Sequence, residues 1–468
     1  MFDNSTIAAI STPPGTGAIA VIRLSGLSAI EIADKVFVSP SKKKLAGQAP
    51  NTIHYGFIYD NDVPVDEVMV GLFKSPHSYS GEDIVEISCH GSQYIQQRIL
   101  ELLTMKGARL AQPGEFTLRA FLNGKMDLSQ AEAVADLIAS SSRSFHKVAM
   151  NQMRGGFTEE IKKLRQRLLN FISLIELELD FSEEDVEFAD RVKLNELVDE
   201  IEQELGKLRD SFSFGNALKK GVPVAIVGKT NAGKSTLLNL LLKEEKAIVS
   251  DIEGTTRDFI EDTVSIDGIP FRFIDTAGLR HAKDEIEKIG IERTHLKIRQ
   301  ADIILLLLDP KDPDEKLFKS VSEIKEMINE TGKKLVVIIN KIDLVQDSAL
   351  KQTTNRLKNN LTDSDRLIAM SAKKGDNLGL LEKNLCELVH VENVDNNDVI
   401  VTNARHFEAL NKSYEAILRV QGGLKTHISG DLLAQDIREV LHYLGEITGE
   451  ITNDEILGNI FGNFCIGK

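Results

Sequence analysis

The segment "GKTNAGKST" combines glycines, a lysine and hydroxyl side chains at the spacing of a phosphate-binding loop. It follows the apolar run "VPVAIV", precedes the helical pattern "STLLNLLLK", and matches G-x-x-x-x-G-K-[ST] through Gly228, Gly233, Lys234 and Ser235. Glycine-rich backbone lets successive N–H groups face the phosphates, Lys234 can reach the β and γ oxygens, and Ser235 can hold magnesium. The N-terminus of the following helix adds partial positive charge. The segment therefore predicts a nucleotide site with magnesium.

Four further motifs, each at the end of a predicted strand, indicate that the nucleotide is GTP. In "NKID" the carboxylate of Asp343 can accept hydrogen bonds from the ring N–H and the amino group of guanine, which adenine cannot offer. A site built to hydrogen-bond its substrate rejects an unmatched analogue by about 10⁴–10⁵. "GTTRD" supplies a threonine for magnesium, "DTAG" places Asp275 near the magnesium shell and Gly278 near the γ-phosphate, and "SAK" closes the base pocket. The predicted GTP-binding residues are Asn231, Ala232, Gly233, Lys234, Ser235, Thr236, Ser250, Asp251, Ile252, Glu253, Gly254, Thr255, Thr256, Asp275, Thr276, Ala277, Gly278, Asn340, Lys341, Asp343, Ser371, Ala372 and Lys373.

The usual catalytic groups of small GTPases are missing from the motifs. Leu279 follows "DTAG", where many small GTPases carry the glutamine that orients the attacking water. No arginine finger is identifiable, although Arg257 and Arg280 lie close enough in sequence to be considered. Asn231 in the phosphate loop could instead hold a monovalent cation, wrapped by backbone carbonyls of "SDIEGTT". An acid in "HAKDEIEKIG" could position the water, or these acids could form a solvated helix face.

Composition excludes several classes of protein. The hydrophobic content of 42% over 468 residues fits two or three full-sized globular domains. The net charge of −15 does not fit a protein that attracts nucleic acid by its bulk charge, so a nucleic-acid partner must meet a local patch or a partner protein. Cys89, Cys386 and Cys465 form no CxxC pair, which favours neither a disulfide framework nor a zinc site.

No membrane or secretory segment is expected. The longest apolar run, Ile303–Leu308, is far too short to span a bilayer, and "MFDNSTIAAIS" lacks a basic n-region. The terminal "FCIGK" places Cys465 near a lipidation position, but Gly467 and Lys468 do not fit that motif. We therefore expect a cytoplasmic protein without a membrane partner.

The chain divides into regions with different strand and helix patterns, and these regions must position the motifs. Residues 1–120 mix strand alternation with a helical period, which predicts an α+β domain. Residues 121–215 and 391–468 carry long amphipathic helices, with predicted capping boxes of Ser129 with Glu132 and of Thr452 with Glu455. Residues 216–390 alternate short apolar strands with helices, which predicts a P-loop, Ras-like α/β domain inserted into one split helical domain. The predicted fold class is multidomain α+β.

The order of these motifs resembles one family, the tRNA modification GTPases MnmE (TrmE), which are TrmE-Era-EngA-like potassium-dependent GTPases. The resemblance covers the whole chain and includes "TPPGTGAIAVIRLSG", "SGEDIVEISCHG", "PGEFTLRAFLNGKMDLSQAEAVADLI" and "FCIGK". It implies that the N-terminal domain binds folate and forms a homodimer. It also implies that GTP is hydrolysed when two G domains meet, with potassium in place of an arginine finger.

The resemblance assigns further roles residue by residue. The implied catalytic residues are Glu287 (the acid that activates water), Asn231 and Cys465. The implied potassium ligands are Asn231, Ser250, Ile252 and Thr255, and the implied magnesium ligands are Ser235 and Thr256. The implied folate-binding residues are Arg23, Glu86, Lys125 and Lys468. For Cys465, a buried packing role and a chemical role of the thiol both stay open, and the tail itself is either frayed or packed at the end of a helix.

The family acts with a flavoprotein, MnmG (GidA), in a heterotetramer whose FAD is carried by that partner. Together they add a carboxymethylaminomethyl or aminomethyl group to the fifth carbon of the wobble uridine of certain tRNAs. The one-carbon unit comes from formyl- or methylene-tetrahydrofolate. Two other functions are alternative hypotheses: a ribosome-assembly GTPase, and a scaffold in which the GTPase domain drives dimerisation. Bound folate would distinguish them, because only tRNA modification requires it.

Overall fold

The computed structural model describes residues 5–180, 191–245, 262–274, 295–329, 332–362, 364–389, 399–426, 428–462 and 464–467. The chain divides into two compact units. The first unit comprises Met1–Ala139, Met150–Ile201 and Lys412–Lys468. The second unit comprises Ser140–Ala149 and Glu202–Asn411.

The strands form two sheets and are numbered in chain order. They are β1 Ile7–Ile10, β2 Ile19–Ser25, β3 Phe37–Val38, β4 Thr52–Asp60, β5 Val63–Phe73, β6 Ile84–His90, β7 Arg109–Leu110, β8 Val222–Gly228, β9 Asp262–Ile266, β10 Ile269–Phe273, β11 Ile303–Leu308, β12 Lys334–Ile339 and β13 Arg366–Ala369. The first seven belong to the first unit and the last six to the second.

The α-helices are numbered in the same way. They are α1 Ala29–Asp34, α2 Gln93–Met105, α3 Glu115–Leu122, α4 Leu128–Ala139, α5 Arg143–Met153, α6 Gly156–Asp180, α7 Arg191–Lys220, α8 Lys234–Glu245, α9 Asp314–Ile328, α10 Asp347–Lys358, α11 Leu378–Val389, α12 Ala404–Thr426, α13 Gly430–Thr448 and α14 Asp454–Gly462. No helix in the described ranges is both long and apolar enough to cross a bilayer.

The sheet of the first unit has the order β3-β4-β5-β6-β2-β1-β7 and is antiparallel except for the β1–β7 pair. One face is strongly apolar: Ile22, Leu24, Val85 and Ile87 are buried there among side chains of α1 and α2. The opposite face carries a smaller apolar cluster that includes Ala9 and Phe116, the latter from α3. This alternation follows from the period of two residues in a strand. The predicted α+β fold is confirmed.

The helices of the first unit begin at caps that differ from the predicted ones. At α4, the side chain of Asp127 accepts a hydrogen bond from the backbone N–H of Gln130 over 2.9 Å, and Gln130 Oε1 accepts one from the Asp127 N–H over 3.0 Å. This is a capping box two residues before the predicted one, because Ser129 instead donates its hydroxyl to Asp127.

The same displacement occurs at α14. Asn453 Oδ1 accepts a hydrogen bond from the Ile456 N–H over 2.9 Å, so Asn453 caps this helix and the predicted box at Thr452 is wrong by one residue. The helix then packs Leu457 and Phe461 into a cluster with Leu118 of α3. The C-terminal helix is therefore anchored on the N-terminal fold rather than projecting from it.

The sheet of the second unit has the order β13-β12-β11-β8-β10-β9, and its pairs are parallel except for β9 with β10. Its strands are apolar almost throughout, and all six side chains of β11 are buried. Both faces are covered, by two separate apolar clusters that include side chains of α8 and α11 on one side and of α9 on the other. The predicted α/β domain is confirmed, because parallel strands with both faces covered lack a polar side.

Candidate functional site

The phosphate loop lies between the end of β8 and the start of α8. Its two motif glycines have left-handed backbone, with φ of +144° at Gly228 and +101° at Gly233. A Cβ at Gly228 would lie 2.5 Å from the Leu307 carbonyl oxygen, and one at Gly233 would lie 2.2 Å from Asn340 Nδ2. Glycine is therefore required at both positions by backbone conformation and by close neighbours, which are the Leu307 backbone at Gly228 and the Asn340 side chain at Gly233.

Lys234, the lysine of the phosphate-loop motif, forms hydrogen bonds with the backbone of its own loop. Lys234 Nζ donates hydrogen bonds to the carbonyl oxygens of Gly228 and Lys229, each over 2.7 Å. Burial lowers the pKa of Lys234, and the nearby positive charge of Lys297 adds to this effect. Ser235 and Thr236 follow in the first turn of α8, and Asn231 precedes the lysine with a φ of +64°. The loop thus gathers an ammonium group and the N-terminus of a helix, both of which attract phosphate.

Asn340 joins the base-recognition motif to two other motifs. Its side chain is buried, with 2% of the residue exposed. Nδ2 donates to the carbonyl oxygen of Ala232 in the phosphate loop over 2.8 Å, and Oδ1 accepts from the N–H of Ala372 over 2.9 Å. Both ends of the amide are therefore satisfied by backbone, which holds three separate loops in one place.

Asp343 is poised as a hydrogen-bond acceptor. Its Oδ1 accepts from the Ser371 hydroxyl over 2.7 Å. That hydrogen bond, together with the positive charges of Lys374 and Lys373, lowers the pKa of Asp343, so the carboxylate is ionised at neutral pH. An ionised carboxylate offers only acceptors, as recognition of paired N–H donors requires. The structure thus brings "NKID" and "SAK" together.

One residue at this site was not predicted from sequence. Asp309 directly follows β11, and its Oδ2 accepts a hydrogen bond from Lys341 Nζ over 2.8 Å. A polar residue at the carboxyl end of a central parallel strand is the signal that could have identified it, because ligands of α/β sheets bind at that edge.

Several predicted residues lie outside the described part of the chain, and their roles stay predictions. They are Ser250, Asp251, Ile252, Glu253, Gly254, Thr255, Thr256, Asp275, Thr276, Ala277, Gly278, Glu287 and Lys468.

A second candidate site lies on the sheet of the first unit. Arg23 on β2 is directly opposite Glu86 on β6, and its Nε and one terminal nitrogen both donate to Glu86 Oε1, over 2.9 and 2.7 Å. The guanidinium lies 5.5 Å from the ring centre of Tyr79 and 5.7 Å from that of Phe116. Burial raises the pKa of Tyr79, although its hydrogen bond with Thr117 acts in the opposite direction. Charged groups of both signs and aromatic rings are thus adjacent on this face.

Lys125 is not paired with Arg23 or Glu86. Its Nζ donates to the carbonyl oxygen of Pro76 over 2.8 Å, and its stem lies within 3.4 Å of the position a Cβ would take at Gly81. Lys125 therefore supports the loop between β5 and β6, which also carries Tyr79.

The C-terminal tail packs on the N-terminal fold. The Ser11 hydroxyl donates to the Gly467 carbonyl oxygen over 3.2 Å, and a Cβ at Gly467 would lie 2.5 Å from the carbonyl oxygen of Ile10. Ile10 pairs with Ile22, the neighbour of Arg23 in β2. For the described residues 464–467 the frayed alternative is therefore wrong. The Cys465 side chain is exposed, which contradicts burial as a small apolar group.

Comparison with known proteins gives matches along nearly the whole chain. Residues 6–125 match the family described as the GTP-binding protein TrmE N-terminus, and residues 128–465 match the family described as the MnmE helical domain. The chain is 56% identical to the tRNA modification GTPase MnmE of Bacteroides thetaiotaomicron over 468 residues, which cover all of both chains. It is 54% identical to the protein of the same name from Flavobacterium johnsoniae, again over all of both chains.

Among solved structures, the chain is similar to Aquifex aeolicus Era bound to GDP and aluminium fluoride. That similarity covers 42% of this chain and 66% of the Era chain, with 26% identity and a TM-score of 0.28. The G domain of the T. maritima FeoB iron transporter is matched over 36% of this chain and 99% of that domain, with 26% identity and a TM-score of 0.26.

Proposed function

This chain belongs to the MnmE family of tRNA modification GTPases, and we propose that it hydrolyses GTP in the course of modifying the wobble uridine of certain tRNAs. The observation that carries GTP binding is the double hydrogen bond of Asn340, which joins the phosphate loop at Ala232 to the base pocket at Ala372. A site that binds the base and the phosphates of one ligand needs these loops to be held together. Asp343 then selects guanine by the acceptors that it offers.

GTP is bound with magnesium, and the hydroxyl residues of the nucleotide motifs suit that ion. The hydroxyls of Ser235 and Thr256 would hold it, because magnesium prefers oxygen ligands and keeps several waters. Magnesium supplies neutralisation of charge on the phosphate oxygens. Lys234, whose ammonium is already held over the loop by two carbonyls, would add a second positive charge there.

Potassium is the proposed replacement for the missing arginine finger. Asn231 stands in the loop with left-handed backbone, and its amide oxygen is a suitable ligand for a monovalent cation. Ser250, Ile252 and Thr255 would complete the set, and Glu287 would orient the attacking water. A positive charge that is fixed beside the phosphates stabilises the charge that develops on them in the transition state.

A folate derivative is the proposed one-carbon donor on the first unit. Glu86, held by Arg23, would pair with N–H donors of the pterin ring, and Lys125 and Lys468 would meet the carboxylates of its glutamate. Tyr79 supplies an aromatic face beside them. The exposed Cys465 lies in a tail that packs against the end of β1, the strand that pairs with β2, so its thiol would be available for the modification chemistry.

The same sheet supports a homodimer. Ile53, Tyr55, Met69 and Ile19 lie on the face that carries Glu86, and between 44% and 69% of each residue is exposed. Several exposed apolar side chains on one face of a sheet are typical of interaction sites. We propose that a second copy of this chain covers it.

The partner in modification would be the FAD-containing flavoprotein MnmG, in a heterotetramer with this chain in the cytoplasm. The product would be a carboxymethylaminomethyl or aminomethyl group on the fifth carbon of uridine. Because the chain carries a net charge of −15, the flavoprotein would supply much of the positive surface that meets tRNA.

The proposal is tested by a mass-spectrometric inventory of tRNA nucleosides from cells with and without this protein. We expect the aminomethyl-type uridines to disappear without it and to return with the wild-type gene. An unchanged inventory would refute the assignment to tRNA modification. An Asp343→Asn gene serves as the matched variant, and we expect that it does not restore the modification.

A further inference from the structure

We propose that Asp309 is a positioning residue for guanine nucleotides and that it acts through Lys341 of the "NKID" motif. The inference rests on the GTP binding proposed above and extends that site to a loop that carries none of the five motifs. Asp309 would not touch the nucleotide. It would hold the lysine beside the base-recognition carboxylate in the conformation that the bound state requires.

The topology of the sheet brings Asp309 to the site. β11 lies between β12, which leads into "NKID", and β8, which leads into the phosphate loop. The three strands are parallel, with Leu307 in register with Gly228 and Leu308 with Ile339. The first residue after β11 therefore emerges between the two halves of the nucleotide site.

Both oxygens of the Asp309 carboxylate are engaged. Oδ2 accepts from Lys341 Nζ over 2.8 Å, and Oδ1 accepts from the backbone N–H of Lys311 over 3.0 Å. The second bond fixes the carboxylate on its own turn, so it serves as a rigid anchor for the lysine. Burial raises the pKa of Asp309, but the bonds from Lys341 and Lys311 outweigh it and leave the pKa below its usual value.

Lys341 is a residue that needs such an anchor. The backbone of Lys341 has a φ of +61°, in the left-handed region that residues other than glycine rarely adopt. Its long side chain loses several rotatable bonds when it is ordered, and ordering it before the ligand arrives reduces the entropy lost on binding. The pair is partly shielded, with 28% of the lysine side chain and 23% of the aspartate side chain exposed, so solvent screens it less than a surface pair.

The chain offers a matched control on the same unit. Asp365 also pairs with a lysine, Lys325, over 2.7 Å, and also accepts from a backbone N–H, that of Thr362. Asp365 precedes β13 and so lies at the amino ends of the parallel strands, opposite the edge that carries the nucleotide motifs. Asp365→Asn therefore removes a comparable ion pair without touching the site.

The test compares nucleotide affinity in the full-length chain. For Asp309→Asn we expect the Kd for both GDP and GTP to rise about tenfold and the KM for GTP to rise with it, while kcat falls less than twofold. We expect Asp365→Asn to change Kd less than twofold. If Asp309→Asn lowers the melting temperature but leaves Kd unchanged, the residue is structural and the inference is overturned.

A double-mutant cycle shows whether the effect passes through Lys341. In a Lys341→Met background, Asp309→Asn should produce no further loss of affinity, because the group that it positions is gone. Losses that simply add would overturn the inference. Asp309→Glu, which keeps the charge on a longer stem, should recover part of the affinity. The proposed function is tested separately. If the wild-type chain does not bind GTP, the proposed function is refuted. If the wild-type chain binds GTP and Asp309→Asn leaves the Kd unchanged, only this inference is refuted.

Discussion

Asn340 donates a hydrogen bond to the carbonyl oxygen of Ala232, and the two residues lie 108 positions apart in the chain. The contact is possible because β12 and β8 are parallel strands of one sheet, separated only by β11. Its consequence is mechanical: the loop that grips phosphate cannot shift relative to the motif that reads the base without breaking a buried hydrogen bond. Leaving such a buried group without its partner costs about 1–3 kcal/mol.

Gly233→Ala should abolish tight GTP binding. The new Cβ would stand 2.2 Å from Asn340 Nδ2 on a backbone with φ of +101°. Strain of this kind costs on the order of 1–3 kcal/mol before the clash is added, so we expect Kd for GTP to rise tenfold or more. Gly332→Ala is the control, because Gly332 has φ of +70° but open space around its Cβ position. It should lower stability and leave Kd unchanged, whereas equal effects on Kd would contradict the role of the clash.

Asp343→Asn should exchange base specificity. Xanthine carries an acceptor where guanine has its amino group, and the amide of asparagine can donate to it. We expect GTP binding to weaken by several kcal/mol and xanthosine triphosphate binding to improve, as measured by competition with a fluorescent nucleotide. The Ser371 hydroxyl, which now donates to the Asp343 carboxylate, can also donate to an amide oxygen, so the fold should persist. Unchanged GTP hydrolysis by this variant would refute the assignment of "NKID".

Hydrolysis should depend on potassium. The observations behind this prediction are Leu279 in the glutamine position and Asn231 in the phosphate loop. Replacing potassium by sodium at constant ionic strength should slow turnover substantially, because the smaller ion suits the proposed set of ligands less well. Nucleotide affinity, measured in parallel, should stay within a factor of two. Equal turnover in the two salts would remove the cation from the mechanism.

Arg23→Ala should remove folate binding and spare GTP hydrolysis. The guanidinium bridges Glu86 and two aromatic rings, so its loss leaves the carboxylate without its partner and the face without its positive charge. Affinity for a reduced folate, measured by calorimetry, should fall at least tenfold. Arg98→Ala is the matched control, because Arg98 on α2 also forms ion pairs, with Asp60 and Glu101. Equal folate affinity in the two variants would place the folate elsewhere.

Cys465 should be the thiol that reacts in the folded chain. Burial raises the pKa of Cys89 and of Cys386 to about 11, so both are protonated and shielded at pH 8, whereas Cys465 is exposed. Iodoacetamide at pH 8 should therefore label Cys465 alone, as read by peptide mass spectrometry. The labelled protein should lose tRNA modification and keep GTP hydrolysis, and Cys465→Ser should take up no label. Full modification activity after complete labelling would exclude the thiol from the chemistry.

Local sequence patterns were sufficient to predict which strands and helices form, but not the residue at which each helix begins. The apolar runs "IILLLL" and "KLVVII" became β11 and β12 because continuous apolar strands are stable only when both faces are covered. The predicted helix caps were wrong by one or two residues. The structure has Asp127 as the cap where Ser129 was predicted, and Asn453 where Thr452 was predicted. Several neighbouring residues before each helix have side chains that can act as an N-cap. Which of them accepts a hydrogen bond from the free backbone N–H groups of the first turn depends on the direction from which the chain enters the helix.

The amino-acid sequence by itself determined the motifs whose geometry is local: the glycines of the phosphate loop, the order of buried strands, and the acceptor carboxylate of Asp343. Only the tertiary structure decided which distant groups meet. It brought Asp309 to Lys341 through parallel strands, Arg23 to Glu86 through cross-strand register, and Gly467 to Ser11 across a separation of 456 residues. The physical reason is that such contacts need the ends of long chain segments to be brought together, and only the packing of whole sheets and helices compensates for the entropy lost in doing so.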